Sequence, residues 1–204
     1  RVGGLTWFRP GQPKVLGMAS GRPLRTGAPG TTARAGIVAL VPGASRGVGA
    51  RTATLLAEAG ADVAINYRTR RLLAERTART VTELGRRALT LGADLTDAER
   101  TTWMFEQVNK AFGRLDVLVL NASGGLEQDR PPDYATCLNV EAQLRATDLA
   151  LPLMPTGGRI VFVTSHHAHF HGSRPTVPEY EPIAASKKAG EERLRARLPK
   201  LTAR

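Results

Sequence analysis

Short apolar runs alternate along this chain with longer stretches whose apolar positions recur at helical spacing. Residues 36–41 (GIVALV), 61–67 (ADVAINY), 88–94 (ALTLGAD), 114–122 (RLDVLVLNA) and 158–165 (GRIVFVTS) are brief and rich in Val, Ile, Leu and Ala. Such runs predict buried strands. Between them, residues 50–60, 71–85, 97–112 and 132–153 have helical periodicity, and Gly60 and Gly85 stand where helices should stop. Strands alternating with helices predict parallel pairing through right-handed crossovers, hence an α/β fold with a doubly wound parallel sheet in a single domain. No internal repeat or low-complexity segment competes with this reading.

The junction between the first strand and first helix is VPGASRGVG, residues 41–49. A glycine pattern alone is weak evidence in a chain with 21 glycines, but strand, glycine turn, helix and second strand together have the length of a mononucleotide-binding unit. One glycine turns the chain sharply, one lets a pyrophosphate approach the backbone, and one packs helix against strand. The amides opening the helix then face the phosphates. Gly43, Ser45, Arg46, Gly47, Val48 and Gly49 are accordingly candidate cofactor-binding residues.

The end of the second strand normally carries an acid that holds the adenosine ribose of NAD. Here it reads Asn66-Tyr67-Arg68-Thr69-Arg70-Arg71, and Arg46 lies within the turn. Guanidinium groups favour a 2′-phosphate where a carboxylate would repel it, so NADP(H) is expected over NAD(H), with Arg68 as a second phosphate contact. Arg70 and Arg71 read as readily as the solvated start of the next helix.

The net charge of +11 raises a nucleic-acid reading, yet residues 1–35 hold five Arg, one Lys and no acid, more than half of that excess. With seven Gly and four Pro and no sustained periodicity, this stretch is expected to be an irregular or disordered basic extension preceding a Rossmann domain at 36–204. Met18 is a candidate natural start, and the acid-free leader also resembles a transit peptide without an amphipathic helix. No apolar run is long enough to span a membrane, and the lone Cys137 agrees with a reducing cytoplasm.

From residue 36 to 197 the chain resembles the short-chain dehydrogenase/reductase family. The turn Gly43-Ala-Ser-Arg-Gly-Val-Gly49 matches the family's TGxxxGxG with Pro42 replacing Thr. Asp94 and Leu95, in Ala-Asp-Leu-Thr, resemble the segment whose aspartate touches the adenine ring; Asn121 and Ala122 resemble the NNAG motif with one Asn lost. The resemblance implies that Asn139 organises a proton-relay water and that Ser165 orients the substrate carbonyl.

Carbonyl reduction by hydride requires a proton for the nascent alkoxide, and a phenol with pKa near 10 needs help to serve at neutral pH. A lysine ammonium supplies that help by favouring the phenolate. In the family the pair is Tyr-x-x-x-Lys, whose members share a helix face. Here Ser186-Lys187 aligns with the family's SK, but the tyrosine position is Ile183, and Tyr180 lies three residues early. Pro182 suits a helix's first turn and disfavours helix at Glu181, so Tyr180 is expected in a preceding loop that could fold back. Either Tyr180 supplies the phenol from that loop, the favoured reading, or it is an ordinary loop aromatic in an inactive relative. Lys187 could hold the nicotinamide ribose in both cases.

All four histidines fall in His166-His-Ala-His-Phe-His171. In an extended segment His167, His169 and His171 would share a face that could capture zinc or nickel, but a pocket lining, a substitute proton donor or a plain surface loop is favoured over a metal site. Family members continue past the lysine helix with further strands, whereas only residues 198–204 remain here, so the domain is expected to be incomplete at its C-terminal end, with residues 160–164 left as an open sheet edge.

The leading expectation is an oxidoreductase moving a hydride between NADP(H) and a small-molecule carbonyl or alcohol. The rivals are a noncatalytic NADP-binding relative or inactive fragment and, less favoured, nucleic-acid binding through the basic extension. A homo-oligomer is expected only if the chain is part of a longer protein.

Overall fold

The computed structural model describes residues 36–127 and 129–199. The basic extension at 1–35, and the nucleic-acid reading that rests on it, lie outside the described residues. Five strands form one parallel sheet in the order β3-β2-β1-β4-β5: β1 (Val38–Val41), β2 (Asp62–Tyr67), β3 (Ala88–Gly92), β4 (Val117–Leu120) and β5 (Arg159–Phe162). Every residue of β1 and β4 is buried, as a sheet covered by helices on both faces demands. The order reverses at β1, with β2 on one side and β4 on the other, so the crevice beyond its carboxyl end is the place where such sheets hold ligands.

Helices α1 (Gly47–Glu58) and α2 (Arg71–Glu83) cover one face. Their buried stripes include Ala53, Ala57, Ala74 and Val81, which pack with Ala39, Val41, Val63 and Ile65 of the sheet. The other face meets α3 (Ala98–Phe112) and α5 (Ala142–Ala150), through Met104, Phe105, Val108, Ala146 and Ala150 against Leu40, Leu118 and Leu120. The ends of α3 follow from local chemistry. The Asp97 carboxylate accepts the Arg100 amide at 3.0 Å, Glu99 and Lys110 complement the dipole, and Gly113 closes the helix at φ 72°.

Three segments depart from the sequence expectations. The helix expected over 132–153 is broken into α4 (Tyr134–Thr136), a π-helical turn at Cys137–Glu141, α5, and a 3₁₀ turn at Leu151–Leu153. The histidine segment is not extended: α6 (His166–Phe170) is a short helix, so His167, His169 and His171 do not alternate onto one face. Among the described residues no group of three or more His, Cys, Asp or Glu could hold a metal ion. Tyr180 does not sit in a loop that folds back. It ends a 3₁₀ turn, Pro178–Tyr180, that runs directly into α7 (Glu181–Ala196) with Pro182 in its first turn.

Candidate dinucleotide and active site

The glycine turn is shaped by backbone and by two asparagines. Gly43 and Gly47 adopt φ of 70° and 57°, which L side chains seldom accept. Gly49 has an ordinary φ but no room: a Cβ there would lie 2.6 Å from the Gly43 carbonyl oxygen. The Asn66 side chain, buried at the end of β2, accepts the Gly43 amide at 3.3 Å and donates to the Leu91 and Ala93 carbonyls at 3.1 and 3.0 Å. Asn121, just after β4, donates to the Pro42 carbonyl at 3.0 Å and lies 3.3 Å from that of Gly43. The turn is thus tied to both neighbours of β1. Arg46 caps α1 in extended backbone without a side-chain hydrogen bond to its amides.

These elements wall a cavity of about 510 Å³. The turn contributes Gly43, Ser45, Arg46, Gly47, Val48 and Gly49, the end of β2 contributes Arg68, the exit of β3 contributes Asp94 and Leu95, and the exit of β4 contributes Asn121 and Ala122. All eleven sequence-predicted residues of the turn and strand ends therefore face one space. Asp94 is partly engaged, its Oδ1 accepting the Thr96 amide and hydroxyl at 3.0 and 2.8 Å. The donor set fits a phosphate-bearing dinucleotide. A Cβ at Gly47 would meet nothing within 4 Å, so the backbone there is open to close approach, and Arg46, Arg68 and Arg70 bring positive charge.

Asn139, 2% exposed, lies in the π-helical turn. Its Nδ2 donates to the Gly124 carbonyl and the Ser186 hydroxyl, both at 3.0 Å, and its Oδ1 accepts the Gly124 amide at 3.4 Å. It joins the loop after β4 to α7. Ser165 caps α6, its hydroxyl oxygen accepting the Ala168 amide at 3.4 Å, which leaves its proton to donate. Lys187 is 6% exposed and donates to the Val163 carbonyl at 3.1 Å, two residues before Ser165. Burial without a carboxylate holds its pKa down to about 8.

Tyr180 lies apart from Lys187. Seven residues of nearly continuous helical backbone correspond to about 10 Å along the axis, and Ile183, 3% exposed, occupies the turn preceding Lys187. Tyr180 instead borders a cavity of about 320 Å³ with Arg46, Ser123, Glu127 and Ile183, and its ring packs on His167 with centroids 4.9 Å apart. Arg46, Ser123 and Glu127 also wall the larger cavity, so the two adjoin.

Sequence reasoning passed over Glu127 and Tyr134, which face the larger cavity and meet Arg68. They sit after β4, where neither periodicity nor spacing marks them. Asn66 carried a signal that was available: a lone amide inside an apolar strand must satisfy its polar atoms somewhere.

Residues 37–196 match the family described as short chain dehydrogenase. A hydroxynaphthalene reductase-like protein of Metarhizium guizhouense is 34% identical over 165 residues, covering 77% of this chain and 60% of that protein. The chain thus spans about 60% of the length of such curated relatives. Among solved structures, a mutant Serratia marcescens short-chain dehydrogenase/reductase is 35% identical with a TM-score of 0.67, covering 75% of this chain and 63% of that one. Carveol dehydrogenase of Mycobacterium avium, in complex with NAD, is 25% identical with a TM-score of 0.72, covering 83% and 67%. With a parallel Rossmann sheet, the glycine turn at its switch point and a family match across nearly all described residues, the chain belongs to the short-chain dehydrogenase family.

Proposed function

We propose that the chain binds NADP(H) and transfers a hydride between it and the carbonyl or alcohol group of a small molecule. The carrying observation is the cavity that joins the glycine turn to Arg46, Arg68 and Arg70 with no acid at the end of β2. The bound nicotinamide would supply the hydride. Ser165 orients the carbonyl oxygen by hydrogen bond, and Tyr180 exchanges the proton from the adjoining cavity. Lys187, cationic below about pH 8, holds ribose hydroxyls. Its distance from Tyr180 leaves it little direct influence on the phenol. Asn139 fixes the loop and helix that border the site.

NADPH consumption, followed by nicotinamide absorbance with a panel of ketones and quinones, tests this reading. Turnover is expected, and Tyr180→Phe should lower kcat roughly 100-fold or more with the NADPH dissociation constant unchanged. No turnover across the panel overturns it. Ile183 in the turn before Lys187 favours one second reading, a noncatalytic dinucleotide-binding relative. In that case NADPH binds, no ketone is reduced and Tyr180→Phe changes nothing.

A further inference from the structure

The acid absent from the end of β2 has a counterpart elsewhere in the cavity. Glu127 lies in the segment after β4, and its carboxylate is held from two sides. Oε2 accepts the Gly125 amide at 2.6 Å, and Oε1 stands 3.7 Å from Nη1 of Arg68. Gly125 presents that amide from φ 128°, a conformation that favours glycine. Arg68 also donates to the Tyr134 hydroxyl, and the Tyr134 ring faces the Arg130 guanidinium at 5.1 Å. Arg68 and Glu127 are each about three-tenths exposed, so their charges are only partly screened.

Among the described residues three arginines face this cavity, and they are not equivalent. Among the described residues Arg46 and Arg70 form no ion pair, whereas Arg68 is already matched by Glu127. A 2′-phosphate seeking Arg68 must displace a carboxylate and then remain beside it. A ribose 2′-hydroxyl meets no such repulsion and can donate to Glu127. The carboxylate thus does from the β4 side part of what an acid at the end of β2 does in an NAD site.

We infer that Glu127 is a specificity-determining residue that lowers the preference for NADP(H) over NAD(H) by pairing with Arg68. This rests on the dinucleotide reading above. Glu127→Gln keeps an oxygen for the Gly125 amide and removes only the charge, so the loop is preserved while Arg68 is released.

The test is titration of NADPH and NADH, read by their own fluorescence, against the full chain and its variants. Glu127→Gln should lower the NADPH dissociation constant about tenfold, as expected for removing one charge near a phosphate, and leave NADH within about twofold. Glu127→Ala, which also gives up the Gly125 hydrogen bond, should move the ratio of the two constants in the same direction. Equal shifts for both cofactors, or no shift in either, overturn the inference while the dinucleotide reading stands. A wild-type chain that binds neither cofactor overturns that reading and this inference together.

Discussion

Gly190 of α7 packs directly on the backbone of Asn139, so that a Cβ at residue 190 would collide with the Asn139 carbonyl oxygen and come within 3.5 Å of the Phe162 ring. The π-helical turn that holds Asn139 and the absence of a side chain at 190 are two halves of one contact. Neither helix can shift independently, because Asn139 also donates to Ser186 one turn earlier. Gly190→Ala should therefore destabilise the fold by about 2–3 kcal/mol despite the better helix propensity of alanine. Urea denaturation checks this, and an unchanged midpoint would mean the contact relaxes freely.

Asn66 holds the turn that defines the cavity. Asn66→Ala deprives the Gly43 amide of its acceptor and the carbonyls of Leu91 and Ala93, at and just past the end of β3, of a shared donor, all at a position 2% exposed. A loss of about 2–4 kcal/mol is expected from leaving such groups unpaired. Dinucleotide affinity should fall as well, because Gly43 is no longer fixed. Denaturation and NADPH titration of the same variant separate the two effects.

The parts of the fold legible in sequence were those whose signals are local. Val38, Leu40 and Val41 read as buried strand from composition alone, and the helical spacing over residues 97–112 matches α3 to within a residue. The cavity residues of the turn were legible for the same reason, since the glycine spacing is imposed by backbone geometry. The π-helical turn was not, because it arises where Gly190 meets Asn139, 51 residues apart in the chain. Nor was α6 legible: Ser165 was weighed as a substrate contact, while its hydroxyl also caps a helix too short to show periodicity. Glu127 escaped notice because its partner, Arg68, lies on a different strand end and only the fold brings them together.

Lys187 makes a pH prediction with a definite sign. Its folded pKa is about 8 against an ordinary value of 10.5, so the folded state resists the charged form. The destabilisation is fully present below about pH 8 and is relieved as pH rises toward 10.5, where the unfolded chain also loses the proton. The shift corresponds to roughly 3 kcal/mol. Lys187→Met should raise Tm at pH 7, and its advantage over wild type should shrink across that window. A Tm difference that is flat between pH 7 and about 10 would show that the ammonium is solvated well enough to titrate normally.

Two glycines of the turn should respond differently to the same substitution, because one lacks space and the other lacks only a compatible φ. At Gly49 an added methyl would lie 2.6 Å from the Gly43 carbonyl oxygen and 3.0 Å from the Ala44 Cα, both of them backbone atoms that cannot swing aside as a side chain can. At Gly47 the methyl would meet nothing within 4 Å, but φ of 57° strains an alanine by about 1–2 kcal/mol. Gly49→Ala should therefore push α1 off the sheet and abolish NADPH binding, with stability falling by more than about 3 kcal/mol. Gly47→Ala should remain folded, with a small loss in the denaturation midpoint. Its NADPH affinity should nonetheless weaken severalfold, because the new methyl projects into the space that the phosphates require. Were Gly47→Ala to bind NADPH as tightly as wild type, the phosphates would have to rest elsewhere in the cavity than against the start of α1.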